Sequence, residues 1–294
     1  MKPPLSYRAA LALASILLGP DSLYGGTTID SANKSAYGAN IGWTDWSGGL
    51  GETASGAVIG AYVCYGYIYS ANVGWINLGS GLPANRIRYQ NNGTNDFGVN
   101  QDGLGNLRGY AYGANIGWVN FESNGAPAIN MATGQISGNV WSANCGWISM
   151  SNAVAYVQTD TISPGSLDTN GLPIAWELAY FGATNLNPNA DPTGKGMTLA
   201  QDYLAGTDPN SVTSVLQITG ANFPANGRSA TLTWTSVATR YYDIQESLSL
   251  SPANWTDSSL GLIATQGTNT TSSLADPDTA LRFYRIQAVR PLTP

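Results

Sequence analysis

The chain alternates apolar and polar residues on both sides of a short turn sequence at four places. These places read YGANIGW at 37–43, YSANVGW at 69–75, YGANIGW at 112–118 and WSANCGW at 141–147. Alternation with a period of two among aromatic and β-branched residues predicts strands, and the Ala-Asn-x-Gly core supplies residues that tolerate a tight turn. Each stretch therefore predicts a β-hairpin.

The same alternation assigns two faces to the strand that follows each turn. One face is mostly apolar and carries Thr44 and Trp46, Ile76 and Leu78, Val119 and Phe121, and Ile148 and Met150. The other pairs each motif tryptophan with a polar residue, giving Trp43 and Asp45, Trp75 and Asn77, Trp118 and Asn120, and Trp147 and Ser149. We therefore expect the motif tryptophans on the wetter side of the sheet.

The hairpins recur at irregular Trp-to-Trp intervals of 32, 43 and 29 residues. Repeated units of this size bury their faces against their neighbours. We expect an antiparallel hairpin-repeat domain over residues 26–158, with a propeller-like, barrel-like or solenoid-like form. The mainly β character extends further, because residues 212–294 alternate Thr or Ser with apolar residues and predict a small β-sandwich. Residues 160–210 are rich in Asp, Asn, Pro and Gly and predict a short loop module containing helix.

Charge and composition exclude several functions. Charged residues make up 10% of the 294 residues, the net charge is −6, and no basic run exists, which argues against nucleic acid as a partner. Residues 1–25 combine the positive Lys2 and Arg8 with a short apolar segment, which is typical of an export signal. The alternative is a buried N-terminal helix. No further apolar run is long enough to span a membrane, so we expect an exported protein at the cell surface or outside the cell.

The chain contains two cysteines, Cys64 and Cys145. An even count in an exported chain predicts one disulfide, which would contribute roughly 4.5 kcal/mol by the chain-entropy estimate. Two separate buried thiols are the alternative.

The chain contains no histidine. That excludes Ser-His-Asp and Cys-His nucleophiles and imidazole metal sites. A secreted glycoside hydrolase, which needs only two carboxylates, is the enzyme that stays open. The carboxylates of the repeat region are Asp30, Asp45, Glu52, Asp96, Asp102 and Glu122. Since only Asp45 lies beside a motif aromatic on the wetter face, we expect a protein that is not an enzyme.

The aromatic motif has two non-catalytic interpretations. Exposed rings stack on sugar faces while neighbouring polar groups take hydroxyl hydrogen bonds, which predicts contact with a glycan or cell-surface polymer. The candidate residues are Tyr37, Trp43, Tyr69, Trp75, Asn77, Tyr112, Trp118, Asn120, Trp141 and Trp147. In the structural interpretation, the two aromatics pair across the hairpin and the Asn bonds its own turn backbone. Both stay open, as does the oligomeric state.

Two of these regions resemble known families. The stretch GYAYGANIGWVNF at 109–121 resembles the GYAWSxNxGWINF-type repeats of secreted and surface-attached bacterial proteins, which implies export and a repeat fold. The placing of Trp234, Tyr242 and FYRIQAV resembles fibronectin type III domains. That resemblance implies a spacer or docking role, with these residues in the core.

Residues 168–209 resemble the calcium-loop modules of thrombospondin type 3 repeats and dockerins. The resemblance implies Ca²⁺ ligands at Asp168, Asn170 and Glu177 in a first loop, and at Asp191, Asp202 and Asp208 in a second. In the second loop Thr193 and Lys195 stand where the families have acids, and a lysine offers no ligand oxygen. We therefore expect one calcium site at most, or else a metal-free linker.

Overall fold

The computed structural model describes residues 26–48, 56–223, 229–275 and 282–293. The predicted export signal and Glu52 lie outside these residues. Within them, one compact unit spans residues 26–186 and includes 292 and 293, and a second spans 187–291. The three-part division expected from composition stays a prediction.

The first unit is built almost wholly from short strands. They are β1 (Ile29–Gly38), β2 (Gly42–Asp45), β3 (Tyr67–Ser70), β4 (Gly74–Asn77), β5 (Val99–Gln101), β6 (Leu107–Gly113), β7 (Gly117–Asn120), β8 (Ala128–Ile129), β9 (Gln135–Ser137), β10 (Asn139–Ser142), β11 (Gly146–Ser149) and β12 (Val157–Thr159). A 3₁₀ turn covers Ser123–Gly125, and the helix α1 covers Ile174–Phe181.

The four predicted hairpins are present as β1–β2, β3–β4, β6–β7 and β10–β11. Each hairpin pairs antiparallel with the next, and β11 pairs back with β1. The eight strands therefore close into an antiparallel barrel, which decides among the three forms that the repeats allowed. Closure leaves none of these eight strands at a free edge.

The predicted faces are confirmed. The apolar face of the second strand of each hairpin points into the barrel, and Trp46, Leu78, Phe121 and Met150 form a fully buried layer. The motif tryptophans lie on the outer face, more than a third exposed. Burying this apolar set from four repeats together gives the barrel a core that no single hairpin could form.

The turn end of the barrel is filled by the variable residue of each motif. Where that residue is isoleucine, as at Ile41, the strand before the turn ends in glycine, because a Cβ at Gly38 would lie 2.8 Å from Ile41 Cγ1. Ile116 and Gly113 repeat this arrangement. The smaller Val73 and Cys145 stand instead with buried Ser70 and Ser142. Paired changes of size thus keep the packing at this end nearly constant.

The motif asparagines join the hairpins to one another. Each side-chain amide donates to the backbone carbonyl of the variable residue in the adjacent repeat, and the last bond returns from the first repeat to the fourth. The four bonds run from Asn72 to Ile41 (3.0 Å), Asn115 to Val73 (3.1 Å), Asn144 to Ile116 (3.1 Å) and Asn40 to Cys145 (3.1 Å). The prediction that each asparagine bonds its own turn is therefore wrong, since its amide reaches the neighbouring turn.

The motif glycines make room for this ring of asparagine bonds. Gly42, Gly74, Gly117 and Gly146 all have φ between 68° and 77°, a backbone conformation that glycine adopts without strain. A Cβ at Gly42 would in addition lie 3.2 Å from the Asn72 amide nitrogen. The glycine of each motif is therefore needed for the turn, and Gly42 also leaves room for the neighbouring asparagine.

The predicted disulfide is wrong, because Cys64 and Cys145 are both free and buried. Cys145 fills the turn end of the barrel as the variable residue of the fourth motif. Cys64 lies beyond the opposite ends of the strands, where its amide donates to Val99 O at 2.7 Å. Burial raises the pKa of Cys64 to about 12, so this thiol is protonated and unreactive at neutral pH.

The second unit contains one helix and seven strands within the described residues. They are α2 (Leu199–Ala205), β13 (Ile218–Asn222), β14 (Ser229–Thr235), β15 (Tyr241–Ser247), β16 (Thr256–Asp257), β17 (Ile263–Ala264), β18 (Asn269–Ala275) and β19 (Phe283–Val289). One sheet is β13-β14-β18, and in the other β15 pairs with β16, β17 and β19. Trp234 and Tyr242 lie in the core of this unit, with ring centroids 5.9 Å apart.

No helix among the described residues is long and apolar enough to cross a membrane.

The sizes of the residue before each turn and of the variable turn residue are matched, so a larger residue at the first position should be compensated by a smaller one at the second. Gly38→Ser adds atoms against Ile41 and should lower the free energy of unfolding by about 1–3 kcal/mol. Adding Ile41→Val recreates the combination of the second repeat, so the double variant should regain most of that loss. Urea unfolding of both single variants and the double variant measures the coupling. Strictly additive losses would contradict the size pairing.

Candidate functional site

The eight motif aromatics form a belt on the outer face of the barrel, which we name the aromatic belt. It comprises Tyr37, Trp43, Tyr69, Trp75, Tyr112, Trp118, Trp141 and Trp147. Within each hairpin the two rings stand opposite each other, with centroids 4.9–5.1 Å apart and planes inclined by 58–65°. The predicted cross-strand pairing of the aromatics is thus present in all four repeats.

Pairing does not remove these rings from solvent. Trp43, Trp75, Trp118 and Trp147 are 47%, 41%, 40% and 48% exposed. A ring wedged between repeats would be buried, so these tryptophans pack within their own hairpin and keep one surface free. Packing and exposure therefore coexist at every repeat.

Extra rings cover the middle repeats more than the outer ones. Trp118 contacts Phe97 at 5.1 Å and Tyr110 at 6.2 Å between ring centroids, and Trp75 contacts Tyr67 at 6.0 Å. The two most exposed belt tryptophans belong to the first and fourth repeats. A ligand would find the freest aromatic surface there.

The polar residue two positions after each motif tryptophan forms a hydrogen bond with the loop that follows its strand. Asn77 Oδ1 accepts from Gly79 N at 2.8 Å, and Asn120 Oδ1 accepts from Glu122 N at 2.6 Å. Such Asx turns orient the segment that leaves the barrel. Each of these oxygens accepts one bond in its turn and has a second lone pair, so both predicted ligand-binding asparagines can offer a ligand an acceptor as well as their amide N–H groups.

In the first repeat this polar position is a paired charge. Asp45 lies 3.0 Å from Lys34 Nζ and also accepts from Ser47 N at 2.8 Å. Burial acts to raise the pKa of Asp45, but the hydrogen bonds from Ser47 and Lys34 outweigh it and lower the pKa. This carboxylate is therefore ionised and already neutralised within the fold.

A cavity of about 230 Å³ opens between the third and fourth repeats. It is lined by Asn120, Glu122, Asn124, Gly125, Trp141 and Trp147. Gly125 cannot carry a side chain, because a Cβ there would collide with the Asn139 carbonyl and approach the Trp147 ring to 3.1 Å. The sequence singled out the two tryptophans, Asn120 and Glu122 separately, but it did not bring them together, and it missed Asn124 and Gly125.

The first predicted calcium loop brings two carboxylates together. Asp168 Oδ1 accepts from Asn170 N and Leu172 N at 2.8 and 2.9 Å, and buried Glu177 accepts from Leu186 N at 2.8 Å. Burial raises the pKa of Glu177, and the facing Asp168 carboxylate adds to this against the Leu186 bond. Asp168 Oδ2 and Glu177 Oε2 are buried without a hydrogen-bond partner. Two orphaned acidic oxygens in this arrangement suit a hard cation.

In the second loop, the positive charge beside the acids is a lysine side chain. Lys195 Nζ lies 2.8 Å from Asp202 Oδ1, and both side chains are fully buried. The ammonium also donates to the carbonyls of Asp208, Ser211 and Ser214 at 2.6, 3.4 and 2.9 Å. Oxygen ligands of the kind that calcium takes thus surround a lysine nitrogen. Asp208 takes part through its carbonyl, while its carboxylate caps Asn210 N at 2.9 Å.

Asp191, the first residue of this loop, binds backbone rather than the ammonium. Its two carboxylate oxygens accept from Lys195 N at 3.2 Å and Gly196 N at 2.7 Å. The six predicted metal ligands therefore fall into two clusters. Among the described residues, no three His, Cys, Asp or Glu side chains gather at one point.

The second unit contains an acidic pair that the sequence did not reveal. Burial raises the pKa of Asp243 to about 6, and its hydrogen-bonded neighbour Asp257 adds to the shift. Gln245 donates to Asp257 at 2.8 Å and accepts from Arg285 at 2.7 Å. The pair lies on paired strands of one sheet, a contact between residues 14 positions apart that depends on strand register.

Comparison with known proteins gives no match, whether with protein-family models, with curated proteins or with solved structures.

The buried lysine of the second loop makes a strong prediction for stability. Lys195→Met removes the ammonium and leaves Asp202 charged and unpaired, so the free energy of unfolding should fall by about 3–5 kcal/mol. Adding Asp202→Asn removes the orphaned charge and should recover part of the loss. Chemical unfolding of both variants provides the measurement. A loss below about 1 kcal/mol, as at an exposed ion pair, would refute the internal-cation role.

Proposed function

We propose that this protein is an exported, non-enzymatic protein of the cell surface or extracellular space, which acts in adhesion or scaffolding and contacts glycans through the aromatic belt. The observation that carries the proposal is the exposure of a tryptophan at the same place in every repeat. Large apolar rings are left in water at a cost, and repeated exposure is typical of binding surfaces.

The belt is also pre-organised for binding. Because each tryptophan rests against the opposite aromatic of its own hairpin, its side chain is fixed before a ligand arrives, and less conformational entropy is lost on binding. Amide N–H groups such as those of Asn77 and Asn120 lie beside the rings and can donate to sugar hydroxyls. Four similar places around one barrel suit a polymer with repeating units.

The carboxylates of the repeat region favour binding over hydrolysis. Asp30 and Asp102 accept backbone N–H groups of their own turns, Asp96 accepts from Ala84 N and Gln90 N, and Asp45 is paired with Lys34. A glycosidase needs an acid and a second carboxylate that face one scissile bond. Carboxylates that each serve their own loop are better explained as parts of the scaffold.

We also propose that the first loop binds one calcium ion. Asp168, Asn170 and Glu177 would hold it, with backbone carbonyls and water completing the coordination. The ion would supply positive charge to a place where two acids face each other. The second loop needs no metal, because Lys195 supplies that charge.

Removing belt tryptophans tests the glycan proposal. Trp75→Ala with Trp118→Ala should clearly weaken retention on an insoluble polysaccharide, because two of the four stacking surfaces are lost. Stability should fall by about 0.5–1.5 kcal/mol for each lost ring pair, in addition to the lost burial of the covered part of each ring. Leu82→Ala removes an apolar residue outside the belt that is even more exposed, 66% against about 40% for the two tryptophans, and should change neither property. Unchanged retention together with a large fall in stability would show that the rings serve only the fold.

Calcium titration tests the first loop. Calcium at roughly ten to a hundred times the dissociation constant should stabilise the protein by about 1.4–2.7 kcal/mol. Glu177→Gln should remove this response, whereas Asp191→Asn, in the second loop, should keep it. Without calcium, the raised pKa of Glu177 means that the folded state holds the proton longer, so stability should decline as pH rises above the ordinary glutamate range. No calorimetric heat and no thermal shift with millimolar calcium would exclude the site.

A further inference from the structure

The cavity between the third and fourth repeats differs in charge from the rest of the aromatic belt. Its lining combines two exposed tryptophans, Trp141 and Trp147, with the carboxylate of Glu122 and contains no basic side chain. We infer that it is a subsite for a glycan unit that carries a free, positively charged amino group. The inference rests on the proposed glycan binding and names the class of sugar that this one site selects.

The carboxylate is held in place and left with binding capacity. Glu122 Oε1 accepts from Gly109 N at 2.9 Å, and the Glu122 amide donates to Asn120. The first bond holds the carboxylate at the cavity wall, and the second orients the backbone from which the side chain extends. Among the described residues Glu122 has no cationic partner, so its second oxygen can accept a charge-assisted hydrogen bond from an ammonium group.

In the first repeat, by contrast with Glu122, the acid near the belt is paired with a cation. There the acid is Asp45, and Lys34 neutralises it at 3.0 Å. The position of Glu122 is occupied in the other repeats by Ser47, Gly79 and Ser151. In the described part of the barrel, an acid without a cationic partner therefore meets the belt tryptophans at this junction alone.

The two tryptophans suit the same ligand. Their rings are inclined by 62° with centroids 5.1 Å apart, so they form two walls of an open corner. Tryptophan is the best aromatic partner for a cation, and its face also stacks on the apolar side of a sugar ring. The corner can thus contact both the ring and the amino group of one sugar.

The size of the cavity agrees with a single sugar unit. Its volume of about 230 Å³ corresponds to roughly eight water molecules at their share of the liquid. Asn120 and Asn124 add amide groups at the wall for the hydroxyls. Because Gly125 admits no Cβ, the turn stays thin where the Trp147 ring borders the opening.

The test compares two oligosaccharides that differ only in the amino group. Isothermal titration of the full chain with a glucosamine tetramer and with its fully N-acetylated form should show about tenfold tighter binding of the free amine, as expected for one added charge-assisted bond. Added salt, or a pH high enough to neutralise the amine, should remove the difference.

Variants separate the inference from the proposed function. Glu122→Gln keeps an oxygen for Gly109 N and removes the charge, so it should abolish the preference while the N-acetylated form still binds. Trp147→Ala should weaken both ligands, and the matched Trp43→Ala in the first repeat should leave the preference intact. Thermal unfolding of each variant checks that it is folded.

Equal affinity for the two tetramers, or a preference that survives Glu122→Gln, would overturn the amino-sugar subsite and leave glycan binding by the belt standing. Absence of any binding of the free amine also overturns the inference. Glycan binding by the belt is refuted by a different result: either the unaltered chain is not retained on neutral polysaccharide, or its retention is unchanged when Trp75 and Trp118 are replaced.

Discussion

The closure of the barrel depends on how four weakly joined hairpins are held to one another. The contacts between hairpins are short: β2 and β3 share one paired position, and β4 and β6 share two. The ring of asparagine bonds adds one link at each junction, from a side-chain amide to the neighbouring turn. Each link satisfies a carbonyl at a turn, where the backbone ladder has ended. The glycine of each motif supports this link through the turn, because its positive φ is a conformation that other residues adopt only with strain.

The closed barrel also determines where the aromatic belt lies, which is on its outer face. The interior of the barrel is already filled by inward-facing residues, among them Trp46 and Phe121, and has no room for eight more aromatic side chains, so the alternating aromatic residues of every motif face out. The fold therefore turns eight aromatics toward solvent, and local charge distinguishes the repeats. Lys34 neutralises the acid of the first repeat, whereas Glu122, at the junction of the third and fourth repeats, has no cationic partner within the described ranges. Identical motifs thus acquire different surfaces.

The two acidic loops differ in what compensates the charge of their buried carboxylates. A buried carboxylate is costly unless a positive charge compensates it. In the second loop the chain provides that charge as Lys195, surrounded by Asp202 and three carbonyls. In the first loop Asp168 and Glu177 face each other with two orphaned oxygens, and a bound cation would complete the arrangement. The second loop thus has a positive charge that is a permanent part of the chain, which is why the calcium proposal concerns the first loop alone.

The sequence by itself determined what depends on neighbouring residues. Period-two alternation placed the hairpins, the buried Trp46 layer and the exposed tryptophans, and the chemistry of lysine ruled Lys195 out as a metal ligand. Only the tertiary structure decided the closed barrel, the two free thiols, the target of each asparagine and the Glu122 cavity. Those features join residues far apart in the chain, as Asn40 joins Cys145 across 105 positions. Local pattern fixes which way a side chain faces, whereas pairing between distant strands decides which residues it meets.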